Sequence, residues 1–249
     1  MQTYRIALAG NPNTGKSTLF NTLTGLRQHT GNWTGKTVIK AEGEYDHNGI
    51  TYTVVDLPGT YSLYSNSADE EVARDYILFD KPDVTVVVVD ATAMERNLNL
   101  ALQVLEMTSR VVVCINLIDE AKKKGITIDE KNLSQKLGVP VIKISARNKT
   151  GIPELLNTIE QMAKGSIATS PYQVKYKEDI EDMIAKLEPQ IQAAFGDIYP
   201  ARWIALRILD GDKKFLETLQ KRYKKPSIKE DAKHGVTLKQ SAPSSGSYH

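Results

Sequence analysis

The chain is short of cysteine, of net charge and of long apolar runs, and each shortage closes off a class of protein. Its one cysteine, Cys114, excludes a disulfide framework and fits a reducing compartment. It sits inside an apolar run at 111–115 that reads as a buried strand, so a core thiol is expected. The 32 Lys and Arg nearly balance 30 acids, and the formal +2 gives no global field for nucleic acid. No apolar stretch approaches the roughly 18 residues of a membrane span. Met1 leads directly into a strand-like run rather than a secretory leader, and a soluble chain is expected. His29, His47, His234, His249 and Cys114 are scattered, without metal-ligand spacing.

What remains is ordinary globular composition, 41% hydrophobic and 25% charged over 249 residues. That length suits one α/β domain of about 150 to 170 residues plus a small appendage. Runs rich in β-branched residues at 5–9, 51–55, 84–89, 111–115 and 141–144 alternate with helical stretches. Continuous Val/Ile runs suit strands covered on both faces, which predicts a mostly parallel sheet with helices on each side. Asn48-Gly49 between strand formers predicts a two-residue hairpin and one antiparallel strand at the sheet edge.

Strand signals stop after residue 159, and the small, polar stretch 163–171 reads as a linker. Ile180, Met183, Ile184, Leu187 and Ile191 form an amphipathic stripe. A second helix opens at Pro200 and carries Trp203, Leu206 and Leu209; after Asp210-Gly211-Asp212 a third carries Phe215, Leu216 and Leu219. The division is therefore 1–165, a nucleotide-binding α/β domain; 166–225, a small all-α bundle; and 226–249, a polar tail expected to be disordered or partly an expression remnant. The basic group Lys221, Arg222, Lys224 and Lys225 reads either as a solvated helix end or as a face toward anionic lipid or a membrane partner.

The chemistry is concentrated in Gly10-Asn11-Pro12-Asn13-Thr14-Gly15-Lys16-Ser17, which fits the phosphate-loop pattern G-x-x-x-x-G-K-[ST] between a strand and a helix opening at Thr18. In such a loop successive N–H groups form an anion cradle and the helix adds its positive end. Lys16 reaches the outer phosphates and the Ser17 hydroxyl ligates Mg²⁺. Asn116, Leu117 and Asp119 follow a strand where a base-reading loop would lie. An Asp carboxylate accepts two hydrogen bonds from guanine N1–H and its exocyclic amine, whereas adenine would leave it unpaired. Ser145-Ala146-Arg147 is the expected partner loop at the guanine carbonyl.

Asp56-Leu57-Pro58-Gly59 closes another strand. Asp56 would hold Mg²⁺ through water, and the Gly59 N–H is placed to sense a γ-phosphate. Upstream, Gly31-Asn32-Trp33-Thr34-Gly35-Lys36-Thr37 is glycine-rich and shows no periodicity, which suggests a flexible loop with Thr37 as a second hydroxyl on Mg²⁺. Glu70 and Glu71 are the nearby carboxylates that could orient water; two adjacent acids also read as a solvated helix start.

With these elements in order, the chain resembles the P-loop small GTPases, and within them the G-protein domain of the bacterial ferrous iron transporter FeoB. The likeness rests on G-N-P-N-x-G-K-S at 10–17, G-N-W-x-G-x-T-V at 31–38, D-L-P-G-T-Y-S-L at 56–63, D-E-E-V-A-R-D-Y at 69–76 and A-R-W-I-A-L at 201–206. It covers about 220 residues and both domains. The resemblance implies a regulatory domain of a ferrous iron transporter, at the cytoplasmic face of the bacterial inner membrane, that hydrolyses GTP to GDP with Mg²⁺. It also implies a helical domain acting like a nucleotide-dissociation inhibitor, a membrane-spanning permease in the same polypeptide and a small cytosolic Feo accessory protein as partner, with self-association open. Thr60 stands where Ras-like enzymes carry a water-orienting Gln, which predicts slow hydrolysis. The family's remedy is K⁺ beside the phosphates, and Asn11 matches its ligand there; carbonyls of residues 31–33 would complete the shell. Leu117 replaces the usual lysine of the base-reading loop, which predicts weaker binding and faster GDP release. The competing reading is a ribosome- or tRNA-associated GTPase. It calls for a basic, aromatic-interleaved surface, whereas the appendage mixes Glu178, Asp179, Glu181 and Asp182 with its lysines.

Overall fold

A computed structural model describes residues 3–64 and 66–223. Each apolar run becomes a strand: β1 (Thr3–Gly10), β4 (Ile50–Asp56), β5 (Val84–Asp90), β6 (Val111–Asn116) and β7 (Val141–Lys143). Two further strands, β2 (Gln28–Asn32) and β3 (Ile39–His47), complete one sheet in the order β2-β3-β4-β1-β5-β6-β7. The β3–β4 hairpin turns at Asn48 and Gly49, both at positive φ. One strand, β3, opposes the rest, as the hairpin predicts, but it is second from the edge. The edge is β2, which pairs antiparallel with β3. Residues 31 and 32 therefore belong to a strand and not to an aperiodic loop. Gln28–Asn32 holds no apolar side chain, so backbone pairing alone makes it a strand and no pattern announces it.

Both faces of the central strands are buried. Ala7, Val87, Val113 and Ile115 face a layer formed by α2 (Ala68–Asp75), α3 (Met94–Met107) and α5 (Glu130–Leu137). Ile6, Leu8, Val86, Val112 and Cys114 face α1 (Lys16–Thr24) and α6 (Ile152–Ala163) through Leu19, Phe20, Leu155 and Ile159. A short helix, α4 (Ile118–Lys123), follows β6. Cys114 is fully buried, and burial pushes its thiol pKa up, as a core role requires.

Among the described residues the appendage holds the α-helices α7 (Glu178–Phe195), α8 (Ala201–Leu209) and α9 (Lys213–Tyr223). Ile184, Trp203, Ile204 and Phe215 join the same apolar cluster as the α2/α3 face of the sheet, so the bundle shares the core of the α/β unit. Trp203 and Phe215 meet edge to face at 4.8 Å. The connecting segment is docked as well. The Ser170 amide donates to the Gly138 carbonyl at 2.9 Å, the Tyr172 amide to Leu137 at 2.9 Å, and the Val174 amide to Glu106 Oε1 at 3.1 Å. Arg202 grips both oxygens of Glu181 and the Val174 carbonyl. Gly138 makes the close approach possible: it sits at φ 68°, and a Cβ there would lie 1.7 Å from the Ser170 oxygen. Among the described residues no helix is long and apolar enough to cross a membrane. Lys224, Lys225 and the 226–249 tail lie outside the described residues. Of the basic group, Arg222 stacks over Phe79 at 4.6 Å.

Candidate nucleotide-binding site

The strand β1 ends at Gly10 and α1 begins at Lys16, so residues 11–15 must reverse the chain in one tight loop. Asn13 and Gly15 take left-handed backbone conformations to do this. Gly15 has a second reason to lack a side chain: a Cβ there would stand 2.4 Å from Asn116 Nδ2. The Thr14 hydroxyl closes the loop on the Asn11 carbonyl at 3.0 Å. Pro12 is partly buried, whereas Asn13, Ser17 and Thr18 are exposed at the mouth.

Lys16 is 8% exposed and folds back onto the end of β4, where it pairs with Asp56 and donates to the Leu57 carbonyl at 2.6 Å. Ser17 Oγ donates to the other Asp56 oxygen at 3.3 Å. The cation and the hydroxyl expected at a Mg²⁺-phosphate centre are therefore both within bonding distance of the carboxylate. The next turn, with Pro58 and Gly59, lies against the loop, held by the Leu57 amide on Leu8 and the Thr60 amide on Gly10. The Thr60 hydroxyl turns away to the Ser62 carbonyl, which leaves it bonded within its own loop. Asn11 is 2% exposed, yet neither end of its amide has a hydrogen-bond partner among the described residues. A buried, unpaired amide costs about 1–3 kcal/mol unless a ligand takes it up.

The base-reading elements converge through Asn116. Its Nδ2 donates to the Thr14 carbonyl at 3.0 Å, and its Oδ1 accepts from the Ala146 amide at 3.0 Å. Both ends of this side chain are committed to holding three loops together. Leu117 takes a left-handed conformation, φ 64°, and opens α4. Asp119 lies in the first turn of α4, where its Oδ2 accepts from Asn148 at 3.2 Å while Oδ1 is buried without a bond of good geometry from any described residue. Burial raises the Asp119 pKa, but the Ser145 hydroxyl and the amides of residues 119 and 120 outweigh it and hold the carboxyl below its ordinary value. Ser145 is buried and Arg147 exposed.

The glycine-rich segment is packed down. Trp33 meets Tyr76 edge to face at 5.4 Å, Lys40 lies over its ring, and its carbonyl accepts from the Lys36 amide. Gly35 and Thr37 are exposed, and the Thr37 hydroxyl bonds to no described residue. Lys36 forms an ion pair with Glu71. Glu70 is also engaged: it accepts from Ser62 Oγ at 2.7 Å and from the Asn66 amide at 3.0 Å, and Ser67 caps the helix by accepting from the Glu70 amide. The two acids thus anchor a helix start in this conformation, and the S-x-x-E spacing at 67–70 is the capping signal that announces it.

Arg74, which the sequence offers only as part of the 69–76 motif with no role of its own, is 1% exposed. It forks onto Asp75, stacks on Phe215 at 5.2 Å and comes within 3.9 Å of Asp212. Arg207 of the bundle stacks on Tyr64 at 4.4 Å. The segment after Gly59 therefore bears directly on the helical domain.

The phosphate loop, the Lys16–Asp56–Ser17 centre and the Asn116–Asp119 loop on one end of this sheet define a domain of the P-loop GTPase fold, fused to a helical bundle. The chain belongs to the ferrous iron transport protein B family: that family's N-terminal model matches residues 4–159. The model of the FeoB cytosolic helical domain matches residues 176–239. The Fe(2+) transporter FeoB of Methanocaldococcus jannaschii is 46% identical over 226 residues, 90% of this chain and 33% of that protein. The chain spans a quarter to a third of the length of the curated relatives it matches. Among solved structures, the cytosolic domain of the T. maritima FeoB iron transporter is 38% identical, in a GDP form with TM-score 0.82 and a GMPPNP form with TM-score 0.81. These cover 92% of this chain and 89% and 88% of those chains.

Proposed function

We propose that this chain binds and slowly hydrolyses GTP as the regulatory domain of a ferrous iron transporter. The observation that carries guanine selectivity is the Asp119 carboxylate, which keeps one buried oxygen without a good donor on a loop that Asn116 ties to the phosphate loop. Guanine N1–H and its amine supply the missing donors. The GDP and GMPPNP forms of the T. maritima domain support the same class of ligand.

Lys16 exchanges Asp56 for the β- and γ-phosphates, and the N–H groups of residues 12–18 cradle the remaining oxygens. Ser17, Asp56 and Thr37 are the residues that would hold Mg²⁺. Asn11, buried with neither amide end bonded to a described residue, fits a K⁺ ligand. When bound, the two ions neutralise charge on the phosphate oxygens. The Gly59 amide senses the γ-phosphate. Thr60, bonded within its own loop, leaves the attacking water to backbone groups, so turnover is slow. Glu70 and Glu71 act on loop position and not on water.

Residues 1–165 form the GTP-binding unit and 166–225 a bundle that slows nucleotide dissociation. In the full-length protein they serve a membrane-spanning permease at the cytoplasmic face of the inner membrane, with a small Feo accessory protein as partner. Calorimetric titration with GDP and ADP in Mg²⁺ tests base selectivity. The expected result is GDP binding with ADP silent; equal affinities would contradict it.

A further inference from the structure

An ion pair ties the glycine-rich loop to α2. Lys36 Nζ pairs with Glu71 Oε2 across a separation of 35 residues, with the lysine 36% and the glutamate 17% exposed. Lys214 of the helical bundle approaches the other Glu71 oxygen at 3.7 Å. Burial alone would raise the Glu71 pKa, but Lys36, Lys214 and Arg74 hold it below its ordinary value, so the carboxylate is charged at neutral pH. The turn that presents Lys36 is closed by its own amide on the Trp33 carbonyl, and Trp33 rests on Tyr76. Thr37, the next residue, is exposed.

We propose that the Lys36–Glu71 pair is a resting-state latch that sets the preference of the site between nucleoside diphosphate and triphosphate. This rests on the guanine-nucleotide reading above. A triphosphate draws Thr37 toward Ser17 and Asp56, and a shift that carries Thr37 carries the adjoining Lys36 backbone with it. A diphosphate makes no such demand. A ligand that requires the unlatched loop is weakened by the stability of the latch, and one indifferent to it is not. Glu71 is thus a positioning residue, acting through Lys36 on the loop that bears Thr37.

The test is titration of the 249-residue chain with GDP and with GMPPNP in Mg²⁺, comparing wild type, Lys36→Gln, Glu71→Gln, the double variant and Lys36→Arg. Each single Gln variant should shift the affinity ratio toward GMPPNP by about two- to fivefold, the range of a partly exposed ion pair. The double variant should shift it no further than the singles, because both remove one contact. Lys36→Arg, which preserves the charge, should keep the wild-type ratio. An unchanged ratio in both Gln variants, or a shift toward GDP, would overturn the latch. Wild-type protein that binds neither nucleotide would overturn the latch and the reading beneath it together; wild-type binding with an unmoved ratio would overturn the latch alone.

Discussion

Lys16, at the start of α1, and Asp56, at the end of β4, form an ion pair beside the phosphate loop. The lysine is 8% exposed and the aspartate 11%, so neither can turn to water if its partner is removed. Lys16→Ala should therefore weaken GDP binding by about tenfold or more, and should also lower the stability of the nucleotide-free protein by about 1–3 kcal/mol. Adding Asp56→Asn should return part of that stability without returning binding. Urea melts of the two variants, beside GDP titrations, separate the effects.

Asp119→Asn replaces an acceptor pair with one acceptor and one donor. GDP affinity should fall by about 100-fold or more. The amide donor now faces a position where xanthine offers a carbonyl, so xanthosine diphosphate should gain affinity in the same variant. Competition between the two diphosphates measures it directly.

Gly138→Ala should dislodge the connecting segment, since the new Cβ would fall 1.7 Å from the Ser170 oxygen and the backbone is at φ 68°. A loss of about 2–4 kcal/mol is expected. Limited proteolysis should show faster cleavage around residues 165–177 than in wild type.

Acid should find the Arg202 clamp. Hydrogen bonds from Arg202 depress the Glu181 pKa from 4.5 to about 2. A depressed carboxyl pKa contributes stability that is present above about pH 4.5 and lost as pH falls toward 2. Glu106, whose pKa burial raises, contributes in the opposite sense. Thermal melts between pH 5 and pH 2 should be steeper in pH for wild type than for Arg202→Gln.

Contiguous signals were legible in the sequence and distant pairings were not. The run at 84–89 became Val84–Asp90 and the run at 111–115 became Val111–Asn116, because unbroken Val/Ile stretches leave no other burial pattern. The phosphate loop and the Asp119 loop read directly, since each is a short motif at a strand end. The edge strand β2 was hidden by its lack of apolar residues, and with it the packed state of the Trp33 loop. Lys36 with Glu71, Arg74 with Phe215 and Gly138 with Ser170 depend on how α2 and the helical domain dock, which no local pattern encodes.

The proposed potassium role of Asn11 rests on its buried amide beside the phosphate loop, which has no hydrogen-bond partner among the described residues. GTP turnover by the 249-residue chain in Mg²⁺, with potassium against sodium as the only monovalent cation, tests it most directly. Turnover should be about tenfold or more faster in potassium, and Asn11→Ala should abolish the difference. Equal rates in the two salts, or full potassium activation of Asn11→Ala, would contradict it.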